Sequence, residues 1–324
     1  MEIVAVDIGG THARFAIAEV EAGRVVRVGE PMTQKVIEHS TFPLAWASFA
    51  EHLGRPIPKA AAIAVASPVN PDLIKLTNNP WIIRPPFIKE RLNVDAYTLI
   101  NDFGAIGHAV GQLDSGSYVH LCGPDREFAE PGSITVCGPG TGLGVAQVFR
   151  SDGTYRVIPT EGGHQDYAAL DEIDDALIRR LRPTYTRVSA ERVCAGPGLV
   201  HIYQTLAQIE GRPARHLDDK ELWALAFEGT DPLAVAALDR FCVCLGGVAG
   251  DLALAHGPTG VVIAGGLGLR LKDRLIESGF AQRFVAKGRF QAMMSNIPVK
   301  IITHPQPGLF GAAAAFAQEH ASQD

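Results

Sequence analysis

Two stretches of this chain repeat one plan. Ile3-Val4-Ala5-Val6 is a short apolar run that reads as a buried strand. It passes through Asp7-Ile8-Gly9-Gly10-Thr11-His12-Ala13-Arg14 into a second apolar run, Phe15-Ala16-Ile17-Ala18. About 130 residues on, Ile134-Thr135-Val136-Cys137 passes through Gly138-Pro139-Gly140-Thr141-Gly142-Leu143-Gly144 into residues 145–148. Strand, glycine turn, strand, met twice, predicts duplicated halves that clasp one polyphosphate. Gly9 and Gly10 let the backbone reach positive φ and leave no Cβ in the way of a ligand. Successive N–H groups beside the Thr11 hydroxyl make a nest for phosphate oxygens. Asp7, at the strand end, stands where a metal ion escorting phosphates needs an oxygen ligand. Either stretch alone reads equally well as an ordinary hairpin turn. The spacing is neither a dinucleotide fingerprint nor a Walker loop, both of which need a strand-to-helix turn.

The rest of the chain alternates strands and helices in its first hundred residues. Residues 25–28 extend the opening sheet, Phe42–Leu53 is an amphipathic helix, and 61–65 is a second buried strand. The polar loop 77–81 ends in Trp81, read as a packing residue with ligand stacking as the alternative. Residues 97–100 form a third strand that runs into Asn101-Asp102-Phe103, with a helix from 104 to 110. Polar side chains where a strand ends and a helix begins lie where α/β proteins place ligands. A helix N-cap is the plainer reading of Asp102. Residues 111–117 are turn-rich and predict a domain crossover. A polar loop over 159–166 holds Glu161 and His164, and 168–256 is chiefly helical. The segments are 170–181, 189–193, 198–209, 218–228 and 231–256, with Ser189-Ala190-Glu191 suited to a first turn. A strand over 261–264 precedes Gly265-Gly266-Leu267-Gly268 and a helix from about residue 269, where glycines allow close approach to a flat or anionic ligand. Residues 299–302 are a last strand, and 308–318 a small-residue helix.

With 324 residues, 47% of them apolar and 20% charged, the chain has the composition of a soluble globular protein of two domains. A net charge of −6 argues against nucleic acid as a partner. No stretch of about 18 apolar residues and no basic n-region is read, so no membrane span is expected and the cytoplasm is the default. Cys122, Cys137, Cys194, Cys242 and Cys244 are scattered and odd in number. They are expected to be buried free thiols rather than a disulfide framework or a zinc knuckle.

Taken in order, DIGGTHAR, NDFGA, CGPGTGLGVA, EGGH, SAERVCAGPGLV, VVIAGGLG and GLFGAAAA cover essentially the whole chain. The chain thereby resembles the actin-like ATPase superfamily, and within it the bacterial glucokinases of the proteobacterial, hexokinase-like type. The resemblance implies an α/β, ribonuclease H-like fold with two α/β domains flanking an active-site cleft. The small domain would be residues 1–112 plus 303–324, with the first phosphate loop and the catalytic acid. The large domain would be 113–302, with the second phosphate loop, the sugar-binding residues and the adenosine site. It further implies ATP-dependent phosphorylation of glucose. Asp7, Gly9, Gly10 and Thr11 would hold ATP and Mg²⁺, Asp7 being the metal ligand. Gly138, Gly140, Thr141, Gly142 and Gly144 would form the second phosphate loop, and Gly265 and Gly266 would back the adenosine. Asp102 would be the base. Asn101, Asp102, Gly138, Glu161, His164 and Glu191 would bind the sugar. His12 stands where the family often has Asn, and Arg14 has two candidate partners, a phosphate or a neighbouring carboxylate. No cysteine cluster follows His164, as one does in the repressor–ORF–kinase branch, so no structural zinc is implied. A homodimer is common in the family and is implied here. Another hexose (fructose, mannose or an N-acetyl hexosamine) and a non-catalytic sugar sensor on the same fold are the competing readings.

Overall fold

Strand parity arranges the first part of the chain. In a computed structural model, which describes residues 1–76, 79–215 and 217–321, the opening strand β1 (Glu2–Ile8) is covered on both faces. Val4, Val6 and Ile8 pack into one core with Phe15, Phe42, Trp46, Phe49 and Trp81. Ile3 and Ala5 point the other way, into a core with Ala60, Ala62, Ala64, Leu309, Ala312 and Phe316. Side chains alternate along a strand, so Asp7 shares the face of Ile3 and Ala5. Alanines line that face and recur in the helix Pro307–His320 that covers it, so helix and sheet approach closely.

The chain divides into two units, the first built from Met1–Asp114, Tyr155–Pro159 and the chain from His304, the second from Ser115–Thr154 and Thr160–Thr303. Unit 1 continues with β2 (His12–Glu21), β3 (Arg24–Val28), β4 (Met32–Lys35), α1 (Phe42–Leu53), β5 (Ala60–Val65), β6 (Ile74–Lys75), β7 (Ile82–Ile83), α2 (Ile88–Leu92), β8 (Ala96–Asn101) and α3 (Asp102–Gln112). Its main sheet runs β3-β2-β1-β5-β8, with β4 also on β2. β1, β5 and β8 are parallel, while β1 and β2 form an antiparallel hairpin with Asp7 opposite Arg14.

Unit 2 contains β9 (Tyr118–Cys122), β10 (Gly132–Pro139) and β11 (Leu143–Ser151); β12 (Thr154–Thr160) follows. Next come α4 (Glu172–Tyr185), α5 (Ala190–Cys194), α6 (Gly198–Ile209), α7 (Asp219–Glu228) and α8 (Pro232–His256). Then follow β13 (Gly260–Ile263), α9 (Gly265–Arg270), α10 (Lys272–Glu277), α11 (Phe280–Val285), α12 (Gln291–Met294) and β14 (Val299–Ile302). The hairpin of β10 and β11 pairs Gly138 with Gly144, and β10, β13 and β14 are parallel, with β9 antiparallel at the far edge.

Three expectations need correction. α8 is long and apolar enough to cross a membrane by length and composition, with a mean hydropathy of 1.7 over its apolar window, although no such stretch was read in the sequence. That window is 72% buried, so α8 is the core helix of unit 2, packed by α6, α7 and α11. Burial on every side also explains why Cys242 and Cys244, two residues apart on a helix, are both inside. Burial pushes both thiols up to about 12, and all five cysteines are free. Second, α9 opens at Gly265 rather than near residue 269, so the glycines are themselves the first helical turn. Third, Gly9 does not take positive φ; its N–H donates to the His12 carbonyl at 2.9 Å and closes the turn that way.

Candidate active site

The first glycine turn is held by its carbonyls. The Gly9 carbonyl accepts from Nδ2 of the buried Asn79 at 2.8 Å, and the Thr11 carbonyl accepts the Val36 N–H at 2.9 Å. Thr11 Oγ1 lies 2.9 Å from Nδ1 of His12, so the imidazole at position 12 sits on the Thr11 hydroxyl. Arg14 finds the carboxylate: its Nη1 donates to Asp7 Oδ2 at 3.2 Å across the hairpin. Burial raises the proton affinity of Asp7 above the ordinary carboxylate range, and the Arg14 guanidinium works against that rise. On its other side Asp7 meets the covering helix at Gly308, where a Cβ would lie 2.9 Å from Asp7 Oδ2. Gly308 escaped the sequence reading as a site residue; strand parity is the signal that leads to it. Trp81 is 1% exposed and donates from Nε1 to the His39 carbonyl at 2.7 Å, so it packs rather than stacks on a ligand. Thr77 and Asn78 of its loop lie outside the described residues.

Asn101 and Asp102 divide the work at the start of α3. Asn101 is the N-cap, its Oδ1 accepting the Gly104 N–H at 2.7 Å. Asp102 is the first helical residue and is not the cap; its Oδ1 accepts the Phe103 N–H at 2.9 Å. A carboxylate in the first turn is favoured by the helix dipole. With Oδ1 of Asn101 occupied, the Nδ2 end is the part of that amide suited to a sugar hydroxyl.

In unit 2 a strand-like pairing brings together residues that are far apart in sequence. Tyr167 N–H donates to the Val188 carbonyl (2.9 Å) and Ala190 N–H to that of Gln165 (2.8 Å). Arg187 Nη1 reaches the His164 carbonyl at 2.6 Å and the Asp166 carboxylate at 2.8 Å. Glu191, carried past this pairing into α5, ends near the turn Gly162–His164. His164 Nε2 lies 3.7 Å from Glu161 Oε2 and 4.0 Å from Glu191 Oε2. The three residues assigned to the sugar by motif alone therefore stand together. Glycine is required at 163, where a Cβ would fall 2.0 Å from the Leu143 carbonyl oxygen. Sequence reasoning missed Arg187, a lone basic residue with no motif signal.

The second glycine turn lies against the same group. Gly140 N–H donates to the Gly142 carbonyl, and the Gly140 carbonyl accepts from Gly196, both at 2.8 Å. Gly138 and Gly144 sit opposite each other where the hairpin begins to turn, with Thr141 at its tip. Gly265 takes φ +82° and would place a Cβ 2.8 Å from the Pro139 carbonyl, whereas a Cβ on Gly266 would meet nothing within 4 Å. Gly265 is thus a packing glycine against the turn, and Gly266 borders open space. Among the described residues, no three His, Cys, Asp or Glu side chains gather as a metal centre. Asp7 is one hard oxygen donor, which fits Mg²⁺ completing its shell with phosphate oxygens and water.

Residues 4–319 match the glucokinase family model. The chain belongs to the glucokinase family. The glucokinase of Zymomonas mobilis subsp. mobilis is 59% identical over 320 residues, with 99% of each chain covered. The crystal structure of a glucokinase from an Antarctic psychrotroph superposes with a TM-score of 0.84 at 34% identity, covering 97% of this chain and 98% of that one. A glucokinase from Balamuthia mandrillaris, solved with glucose, shares the fold at 21% identity and a TM-score of 0.78, covering 98% and 93%. The family fold is the actin-like ATPase fold.

Proposed function

We propose that this glucokinase-family enzyme transfers the γ-phosphoryl group of MgATP to the 6-hydroxyl of D-glucose, giving glucose 6-phosphate and ADP. Family membership carries the phosphorylation of a hexose; the roles of individual residues are the proposal. Phosphoryl transfer asks little covalent work of a protein beyond positioning, charge neutralisation and a carboxylate for the hydroxyl proton. Asp102 accepts the proton of the 6-hydroxyl as the oxygen attacks phosphorus and the bond to the ADP oxygen breaks. Asn101 Nδ2, His164, Glu161 and Glu191 hold the other hydroxyls, and such a polar set penalises an analogue lacking one of them. The turns 9–11 and 138–144 receive phosphate oxygens on amides other than those of Gly9, Gly140 and Leu143, which already have partners, and Gly266 leaves room for the adenosine. Asp7 would supply an oxygen to Mg²⁺, whose contribution when bound is to neutralise phosphate charge.

The observation that carries this reading is the division of labour at α3. The cap is made by Asn101, and Asp102 enters α3 as its first residue, with its carboxylate in the N-terminal turn. A coupled assay over a panel of hexoses tests the whole, with glucose expected to give the highest kcat/KM. Asp102→Ala should lower kcat by about 10²–10⁴ while ATP binding stays near wild type. A near-normal rate would remove Asp102 from the base role, and a preference for fructose, mannose or an N-acetyl hexosamine would change the acceptor. Sedimentation and localisation experiments are the separate tests of a cytoplasmic homodimer.

A further inference from the structure

α5 grips the second glycine turn from both of its ends. From its first turn, Glu191 reaches out so that Oε2 accepts the Leu143 N–H at 3.1 Å, where the turn re-enters β11. Just beyond its last residue, Gly196 donates its N–H to the Gly140 carbonyl at 2.8 Å. The same Glu191 oxygen that holds the turn lies 2.6 Å from the point where a Cβ on Gly142 would stand. Real Cβ atoms do not come that close to an oxygen, so the carboxylate can sit there only because residue 142 has no side chain. A carboxylate has two oxygens. With Oε2 committed to Leu143, the side chain is fixed and Oε1 is left to meet a hydroxyl.

We infer that Gly142 is a positioning residue for the sugar: its bare Cα lets Glu191 dock on the phosphate turn, and that docking aims the carboxylate at its hydroxyl. This extends the role of the turn beyond room for phosphate, and it rests on the assignment of Glu191 to the sugar site. Two features make it testable without breaking the fold. Gly142 does not adopt positive φ, so alanine is conformationally permitted there. The atoms it would strike belong to the far end of a flexible side chain, which can swing away. What such a swing costs is the Leu143 bond and the aim of the acid.

The experiment is a titration of glucose into the nucleotide-free, full-length enzyme, read by intrinsic fluorescence, beside a thermal melt. Gly142→Ala is expected to raise the glucose Kd about tenfold, the scale of one misdirected charge-assisted hydrogen bond, with the melting temperature held within a few degrees. Glu191→Ala should weaken glucose at least as much, and adding Gly142→Ala to it should produce no further loss, since the carboxylate it displaces is gone. If Gly142→Ala leaves glucose affinity unchanged while Glu191→Ala weakens it, the inference is overturned and the sugar-site assignment stands. Additive losses in the double variant also overturn it, because Gly142 would then act without the carboxylate. Unchanged affinity in Glu191→Ala overturns the sugar-site reading itself.

Discussion

Asn101 does two jobs at opposite ends of one amide, and substitution can separate them. Its Oδ1 accepts the Gly104 N–H at 2.7 Å and caps α3, while Nδ2 is the donor proposed for a sugar hydroxyl. Alanine removes both ends. Losing an N-cap costs about 1 kcal/mol, which for a unit of this size lowers the melting temperature by about 2–4 °C. Aspartate keeps an acceptor in the same place, and its charge suits the helix N-terminus, so Asn101→Asp should melt within about 1 °C of wild type. It nonetheless lacks the donor. Both variants should therefore raise the glucose Kd about tenfold, one with a stability loss and one without. Paired thermal melts and glucose titrations decide the matter. Wild-type glucose affinity in Asn101→Asp would take Nδ2 out of the sugar site, and an unchanged melt in Asn101→Ala would refute the cap account.

Two further outcomes follow from close packing and from burial. Gly163→Ala would put a Cβ 2.0 Å from a backbone oxygen that cannot rotate away, so the Glu161–His164 turn has to shift by about 1 Å at about 1–3 kcal/mol. A misplacement of that size should lower kcat/KM for glucose by up to about 10²-fold, and an unchanged value would detach this turn from catalysis. His108, half-buried beside Tyr155, has its pKa lowered to about 4 by desolvation. Its unfolded value near 6.5 is higher, so its contribution is present above pH 6.5 and lost as pH falls toward 4, at most on the order of 3 kcal/mol. His108→Phe should flatten stability against pH over that window in urea melts, and an unaltered slope would assign the acid sensitivity to other groups.

Local sequence determined a good deal of this protein. The apolar runs on either side of Gly9–Gly10 and of Gly138–Gly144 had to be strands, because their period and β-branching suit nothing else of that length. Two glycine turns on the same scaffold, with NDFGA and EGGH between and after them, made the family legible by resemblance. Short elements such as β9 and α10–α12 were not legible, since packing rather than propensity sets them. Nor was α8 legible as a core helix: composition alone cannot tell a helix surrounded by protein from one surrounded by lipid.

What only the tertiary structure decided is which groups touch. Asp7 pairs with Arg14 because the hairpin register sets them opposite each other, and it faces Gly308 because strand parity and a helix from the far end of the sequence meet there. Asn101, not Asp102, became the cap, a matter of one residue that propensity leaves undecided. Glu161, His164 and Glu191 were three separate motif letters until the pairing of 165–167 with 188–190 folded them onto one place. Sequence dictates periodicity and turn chemistry because these are local; contact between distant side chains depends on how whole strands and helices pack, and no local pattern encodes that.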